Sequence, residues 1–260
     1  MLTRIRQYPL LVFFSLTFIF LLLGWLVFQG QFAYGPLLAA LIVVPIVSGR
    51  EGLMAWAKRI IRWRVGLRWY AAALLLPLLA TAVAAFVNIL LGASHGTVQL
   101  GELPGLLPEA LFVLLYVGIG EEPGFRGFAL PRLQARYSAF TATLILAVLG
   151  AVWHIPLFLT GDSPWETIGV ILTGYFMFTW LFNNTNGSVL IAMLFHTAQA
   201  IVGPQVFGTL FSGADLIRYT WLIAIAYGVM VAVVILTSDK YFSTRPRAEL
   251  TNIAEPMPVR

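Results

Sequence analysis

Cysteine is absent from the 260 residues, and charge is scarce: Asp, Glu, Lys and Arg together make up only 10%. The first absence removes disulfides, thiolate metal ligands and a thiol nucleophile together. The second excludes an ordinary soluble domain, which carries about 25% charged residues. Also missing are an internal repeat, a low-complexity tract and any polar stretch long enough to enclose a second core. What is present instead is 60% hydrophobic side chains and a mean hydropathy of +0.88. That composition calls for lipid as solvent.

A hydrocarbon core of about 30 Å is crossed by about 20 apolar residues in a helix. The apolar runs predict an all-α, polytopic membrane helical bundle of about eight transmembrane helices: Pro9–Phe28, Tyr34–Val47, Trp69–Leu91, Leu106–Tyr137, Ser138–Leu159, Glu166–Phe182, Ser188–Thr209 and Tyr219–Leu236. The first follows Arg4 and Arg6 as a signal peptide would. It is longer than a signal-peptide core, however, and no small-residue cleavage site follows, so it is expected to stay as an anchor. One transmembrane domain over residues 1–243 is expected, with a polar tail from Thr244 to Arg260 whose prolines and composition predict disorder.

The net charge of +5 is spread between apolar segments rather than gathered in a soluble patch, which favours membrane lipids over nucleic acid as partner. With the N-terminus cytoplasmic, nearly all Lys and Arg fall on inside loops and only Arg218 outside, where Glu102, Glu109, Asp162, Glu166 and Asp215 lie instead. This asymmetry predicts an integral protein of a bacterial-type plasma membrane with both termini cytoplasmic. Between the second and third spans, Glu51–Arg68 mixes Trp56, Ile60, Ile61 and Trp63 with basic residues, the pattern of an amphipathic helix lying on an anionic leaflet.

Ionisable groups deep inside membrane helices are costly and usually face a cavity or each other. Five stand out: Glu121, Glu122, Arg126, His154 and His196. His95 falls in an outside loop, where solvation is the default. Glu121 and Glu122 are adjacent, so on a helix they diverge by about 100° and cannot share one role. Glu122 and Arg126 are four apart and stack on one face as an ion pair, which leaves Glu121 for a cavity. Pro123 cannot donate to the Ile119 carbonyl, and Gly118, Gly120 and Gly124 admit close neighbours. A kinked, locally open helix beside a wet cavity is expected there. The chain has no H-E-x-x-H motif, so any metal site must be assembled across helices.

These residues resemble a known family. Glu121-Glu122-Pro-Gly-Phe-Arg126-Gly127 resembles the first signature of the CAAX protease and bacteriocin-processing (CPBP, or Abi) family. Trp153-His154-Ile155-Pro156 resembles the second, and Gly187-Ser188 leading to Leu194-Phe-His196 the third. Together they cover the core at about 106–200. The resemblance implies an eight-helix intramembrane peptidase in which Glu121 is the general base, Glu122 and Arg126 support it, and His154 and His196 complete the site. It leaves open whether Glu121, His154 and His196 hold a divalent metal such as zinc or whether the glutamate activates water without one. The implied partner is a peptide or protein substrate, lipid-modified or membrane-anchored: a prenylated CAAX peptide, a bacteriocin leader or a membrane-protein tail.

Two positions depart from the family pattern. Gly150 replaces an aromatic four residues before His154, and Ala200 replaces an Asn or Asp four residues after His196, with Gln199 adjacent but about 100° round the helix. The second departure favours an alternative reading, a catalytically inactive immunity, regulatory or scaffold protein of the same fold. A proton-coupled transporter using a Glu/His relay is disfavoured by the lack of inverted repeats. A purely structural reading makes Glu122–Arg126 a packing pair and each histidine a cross-helix hydrogen-bond donor. The aromatic run Thr173–Trp180 reads as packing between helices.

Overall fold

The computed structural model describes residues 2–98, 100–239 and 242. The tail 244–260, for which disorder is expected, lies outside the described residues. Helices follow in the order α1 Leu2–Gln7, α2 Pro9–Phe28, α3 Gly35–Ile60, α4 Leu67–Leu90, α5 Leu106–Val113, α6 Ile119–Gly124, α7 Leu130–Gln134, α8 Ala139–Trp153, α9 Ile155–Thr160, α10 Thr167–Asn184, α11 Val189–Ile201 and α12 Gly213–Thr237. Among the described residues there is no strand.

Long helical rods stand at all eight expected places. Six of them, Pro9–Phe28, Gly35–Ile60, Leu67–Leu90, Ala139–Thr160, Val189–Leu210 and Gly213–Thr237, are long and apolar enough to cross a membrane. The other two are the more polar ones. The run from α5 to α7 carries the buried charges, and α10 ends in Asn183 and Asn184. Helix α4 shows how the bundle meets lipid. Its small residues Ala73, Ala80, Ala84 and Ala85 are buried, while Leu75, Leu79, Phe86 and Leu90 stand exposed, the inside-small arrangement that lets membrane helices approach closely.

Helix α3 differs from expectation. It runs on to Ile60 and is broken at Gly49, whose φ of 63° and ψ of −164° only glycine adopts easily. The amphipathic segment expected over Glu51–Arg68 therefore ends at Ile60, and Leu67 and Arg68 already belong to α4. Met54, Ile61 and Trp63 stay exposed, but Trp56 is 4% exposed and its indole Nε1–H donates to the Pro123 carbonyl at 2.9 Å. A buried indole needs such a partner, and this one docks the segment against the charged helix.

Two apolar clusters fill the bundle. One gathers Phe13, Phe125, Phe128 and Trp153 with residues of α3, and the other gathers Phe178, Phe195, Tyr219 and Tyr227 with residues of α4. The segment α5–α7 packs between α3 and α11, at the seam between the clusters.

Candidate active site

The charged helix is bulged at two points. π-Turns at Leu114–Gly118 and Phe125–Ala129 bracket α6, which carries both glutamates. Such turns insert a residue into the helical register and recur at functional sites. The kink expected at Pro123 is thus spread over a bulge on either side. Side chains stabilise the irregular backbone: Tyr34 Oη donates to the Leu115 carbonyl at 2.9 Å, and Trp56 serves Pro123.

Gly120 and Gly124, four apart on one face, bring the chain before and at the start of α3 into contact with α6. A Cβ on Gly120 would lie 2.5 Å from the Ala33 carbonyl oxygen, and one on Gly124 would lie 2.5 Å from that of Pro36. Only hydrogen fits where backbone meets backbone so closely. The segment Gln31–Tyr34 consequently lies over Glu121, held also by a hydrogen bond from Tyr116 Oη to the Gln31 carbonyl at 3.0 Å. Glu121 is 2% exposed.

The two glutamates diverge as their adjacency requires. Glu121 faces α8, where Trp153 Nε1–H donates to its Oε1 at 2.9 Å, and the Gln31 carboxamide reaches the same oxygen at 3.5 Å. Glu122, 0% exposed, faces α11. Its Oε1 takes Arg126 Nη1 at 3.2 Å and His196 Nδ1 at 2.7 Å. The expected ion pair is formed, and His196 joins it rather than Glu121. The faces of the Arg126 guanidinium are covered by Tyr175 and Phe178 of α10, at 4.1 and 3.9 Å from the ring centroids, a cation–π arrangement that suits a desolvated arginine.

His154 sits at the junction of α8 and α9, with Nδ1 2.7 Å from the Gly150 carbonyl. A carbonyl only accepts, so Nδ1 carries the proton and Nε2 is left free. His196 likewise directs Nδ1–H to a carboxylate and keeps Nε2 for other partners. Helix α11 is set for this by Ser188, whose Oγ accepts from the Ile191 amide at 3.3 Å as a helix cap and donates to the Arg62 carbonyl at 2.7 Å. His95 is exposed in its loop, as expected.

The site is under-bonded. Glu121 Oε2 and Glu122 Oε2 are buried with no hydrogen-bond partner among the described residues. A buried unpaired polar group costs about 1–3 kcal/mol, more when charged, and native proteins keep few of them. No group of three or more His, Cys, Asp or Glu side chains among the described residues is arranged to hold a metal ion. The atoms that would ligate a divalent ion, Oε2 of Glu121 and Nε2 of His154 and of His196, are those left over by hydrogen bonds through Oε1 and Nδ1, but they are not gathered into such a group.

Both departures from the family pattern have structural counterparts. At Gly150 a Cβ would collide with the hydroxyl and ring of Tyr175, so α10 supplies an aromatic ring to the space beside this glycine. Near Ala200, the Gln199 side chain lies along Gly174, and its buried Oε1 has no partner. Sequence reasoning missed Trp153, Gln31, Tyr175 and Phe178 as site residues. For Trp153 a signal existed, since a tryptophan buried beside a site histidine must find an acceptor for its N–H. Nothing local marked Gln31.

Residues 103–202 match the family described as Type II CAAX prenyl endopeptidase, Rce1-like. The chain is also similar to CAAX prenyl protease 2 of Methanococcus maripaludis, 32% identical over 98 residues that cover 33% of this chain and 36% of that protein. The chain thus matches about a third of the length of this curated relative. The matched region runs from just before α5 to the end of α11 and contains Glu121, Glu122, Arg126, His154 and His196. The motif-bearing segment of this integral membrane protein is therefore similar to the Rce1-like CAAX prenyl endopeptidases over residues 103–202.

Proposed function

We propose that the protein is an intramembrane endopeptidase of the CAAX prenyl type, cleaving a lipid-modified or membrane-anchored peptide. The observation that carries this reading is the unpartnered Oε2 of Glu121, a carboxylate oxygen buried at 2% exposure in a cluster that also holds His154 and His196 on neighbouring helices. Glu121 Oε2 takes a proton from water as the water oxygen bonds to the scissile carbonyl carbon. The tetrahedral oxyanion accepts a hydrogen bond from Nε2–H of His196, which acts as the imidazolium with its Nδ1–H held by Glu122, and the free Nε2 of His154 accepts a hydrogen bond from the attacking water. Collapse breaks the C–N bond, and Glu121 returns its proton to the leaving amine. Arg126 balances Glu122 and touches no reacting atom.

No step in this scheme passes through a metal. The segment Gln31–Tyr34 covers Glu121, so substrate and water enter when it moves aside. The distribution of Lys and Arg supports placing both termini on the cytoplasmic side.

The test is cleavage of prenylated and unprenylated reporter peptides by purified protein in detergent, with wild type, Glu121→Ala, His154→Ala and His196→Ala, each with and without a chelator. Prenyl-dependent cleavage by wild type, lost in all three variants while thermal unfolding stays near wild type, is the expected result. Cleavage untouched by Glu121→Ala overturns the mechanism, and chelator sensitivity overturns the metal-free form of it. Ala200, which leaves the expected polar position empty, favours a second reading as an inactive regulatory member of the fold. Absence of cleavage by wild type across the panel would select it.

A further inference from the structure

We propose that Trp153 is a positioning residue for the peptidase reaction: its indole N–H holds Oε1 of Glu121 and so assigns Oε2 as the oxygen that receives the proton of the attacking water. The inference rests on the peptidase reading of the same site. Both donors that reach Glu121 reach one oxygen, the indole at 2.9 Å and the Gln31 carboxamide at 3.5 Å. The other oxygen is buried and has no partner. A carboxylate fixed through one oxygen presents the second in a defined direction, whereas a free glutamate side chain must be ordered at the moment of reaction.

The ring is the rigid member of this pair. Trp153 is 0% exposed and is the last residue of α8. It meets Phe125 edge to face at 5.9 Å, and its Cη2 lies 2.9 Å from where a Cβ on Gly35 would stand. Helices α2, α3 and α8 and the π-turn after α6 thus trap the indole, and the glutamate takes its orientation from it. Packing alone would be served by any large ring. Only tryptophan offers there both the volume and a neutral N–H, which holds an anion without adding a charge that would compete with the substrate.

The experiment replaces Trp153 in the full-length protein in detergent, using a reporter that wild type cleaves. Trp153→Phe keeps an aromatic ring and removes the N–H. Replacement of Trp153 by benzothienylalanine keeps the bicyclic shape and removes only the N–H, which guards against a folding defect in the first variant. The expected result is a fall in kcat of about 10- to 100-fold, the range for one hydrogen bond to a charged group. KM should stay within about twofold, because the interaction acts on the base and not on bound substrate, while the thermal midpoint should fall by about 2–12 °C, the cost of a buried acceptor that loses its donor.

Unchanged kcat in the benzothienylalanine protein overturns the inference. So does a loss of kcat that comes with unfolding at the assay temperature or with a rise in KM. Glu121→Gln is measured in parallel: if it cleaves like wild type the peptidase mechanism itself fails, and if it is inactive while the benzothienylalanine protein is fully active, only the role of Trp153 fails.

Discussion

Replacing Arg126 by methionine isolates the energetics of the buried pair. Glu122 and Arg126 are 0% and 1% exposed, and their contact is 3.2 Å. Arg126→Met fills much of the same volume between Tyr175 and Phe178 but leaves Glu122 with His196 as its one hydrogen-bonded partner among the described residues. Removing one member of a buried ion pair costs about 3–5 kcal/mol, because the remaining charge stays desolvated. Against a total domain stability of about 5–15 kcal/mol, that is a large fraction. At about 2–4 °C per kcal/mol for a protein of this size, the thermal midpoint should fall by about 6–20 °C.

The double variant Glu122→Gln/Arg126→Met removes both charges and keeps an acceptor for His196 Nδ1. It should therefore recover most of the loss, since neutral replacement of a buried pair is often close to neutral in stability. Arg126→Lys keeps the charge but loses the planar group stacked on two rings and should fall in between. The assay is thermal unfolding in detergent at a fixed heating rate, followed by tryptophan fluorescence. If the single and double variants are destabilised equally, or if Arg126→Met unfolds within about 2 °C of wild type, then charge compensation is not what Arg126 supplies.

Gly124→Ala places a methyl group 2.5 Å from the Pro36 carbonyl oxygen, with backbone on both sides, so the cost should reach the upper end of the about 1–3 kcal/mol typical of overpacking, read as a lowered thermal midpoint. Trp56→Phe leaves the Pro123 carbonyl without its indole donor and should lose about 1–3 kcal/mol by the same measurement. Gly150→Ala drives a methyl group into Tyr175. It should be destabilising alone and strongly non-additive with Tyr175→Ala, a coupling that a double-mutant cycle on unfolding measures. Additivity there would mean that Tyr175 does not fill the space beside Gly150.

The positions of the long rods were legible because a lipid solvent imposes length and apolarity on each of them separately. The Glu122–Arg126 pair and the divergence of Glu121 were legible because both follow from spacing on one helix. The partners of these groups were not. That His196 pairs with Glu122, and that Trp153 and Gln31 converge on Glu121, depends on how α6, α8, α11 and the Gln31–Tyr34 segment sit against one another, which no local periodicity encodes. The π-turns escaped for a related reason, since π-bulges carry no composition that distinguishes them from α-helix. The docking of Trp56 on the Pro123 carbonyl was not legible either, because an amphipathic segment has the same signature whether its indole meets headgroups or a buried carbonyl.

The placement of donors around the two glutamates bears directly on chemistry. Adjacent carboxylates in one short helix would repel each other if they shared an environment. Here they do not share one. Glu122 is served by a guanidinium and an imidazole, groups that carry or accept positive charge, whereas Glu121 is served by an indole and a carboxamide, which are neutral. The first arrangement neutralises a carboxylate and fixes it as structure. The second holds a carboxylate in place without neutralising it and leaves one of its oxygens free, which is the condition a general base must meet. In the proposed reaction two identical side chains, one peptide apart, do different work, and apart from Arg126 the groups that set them apart, Trp153, His196 and Gln31, come from α8, α11 and the segment before α3, outside the motif that contains both glutamates.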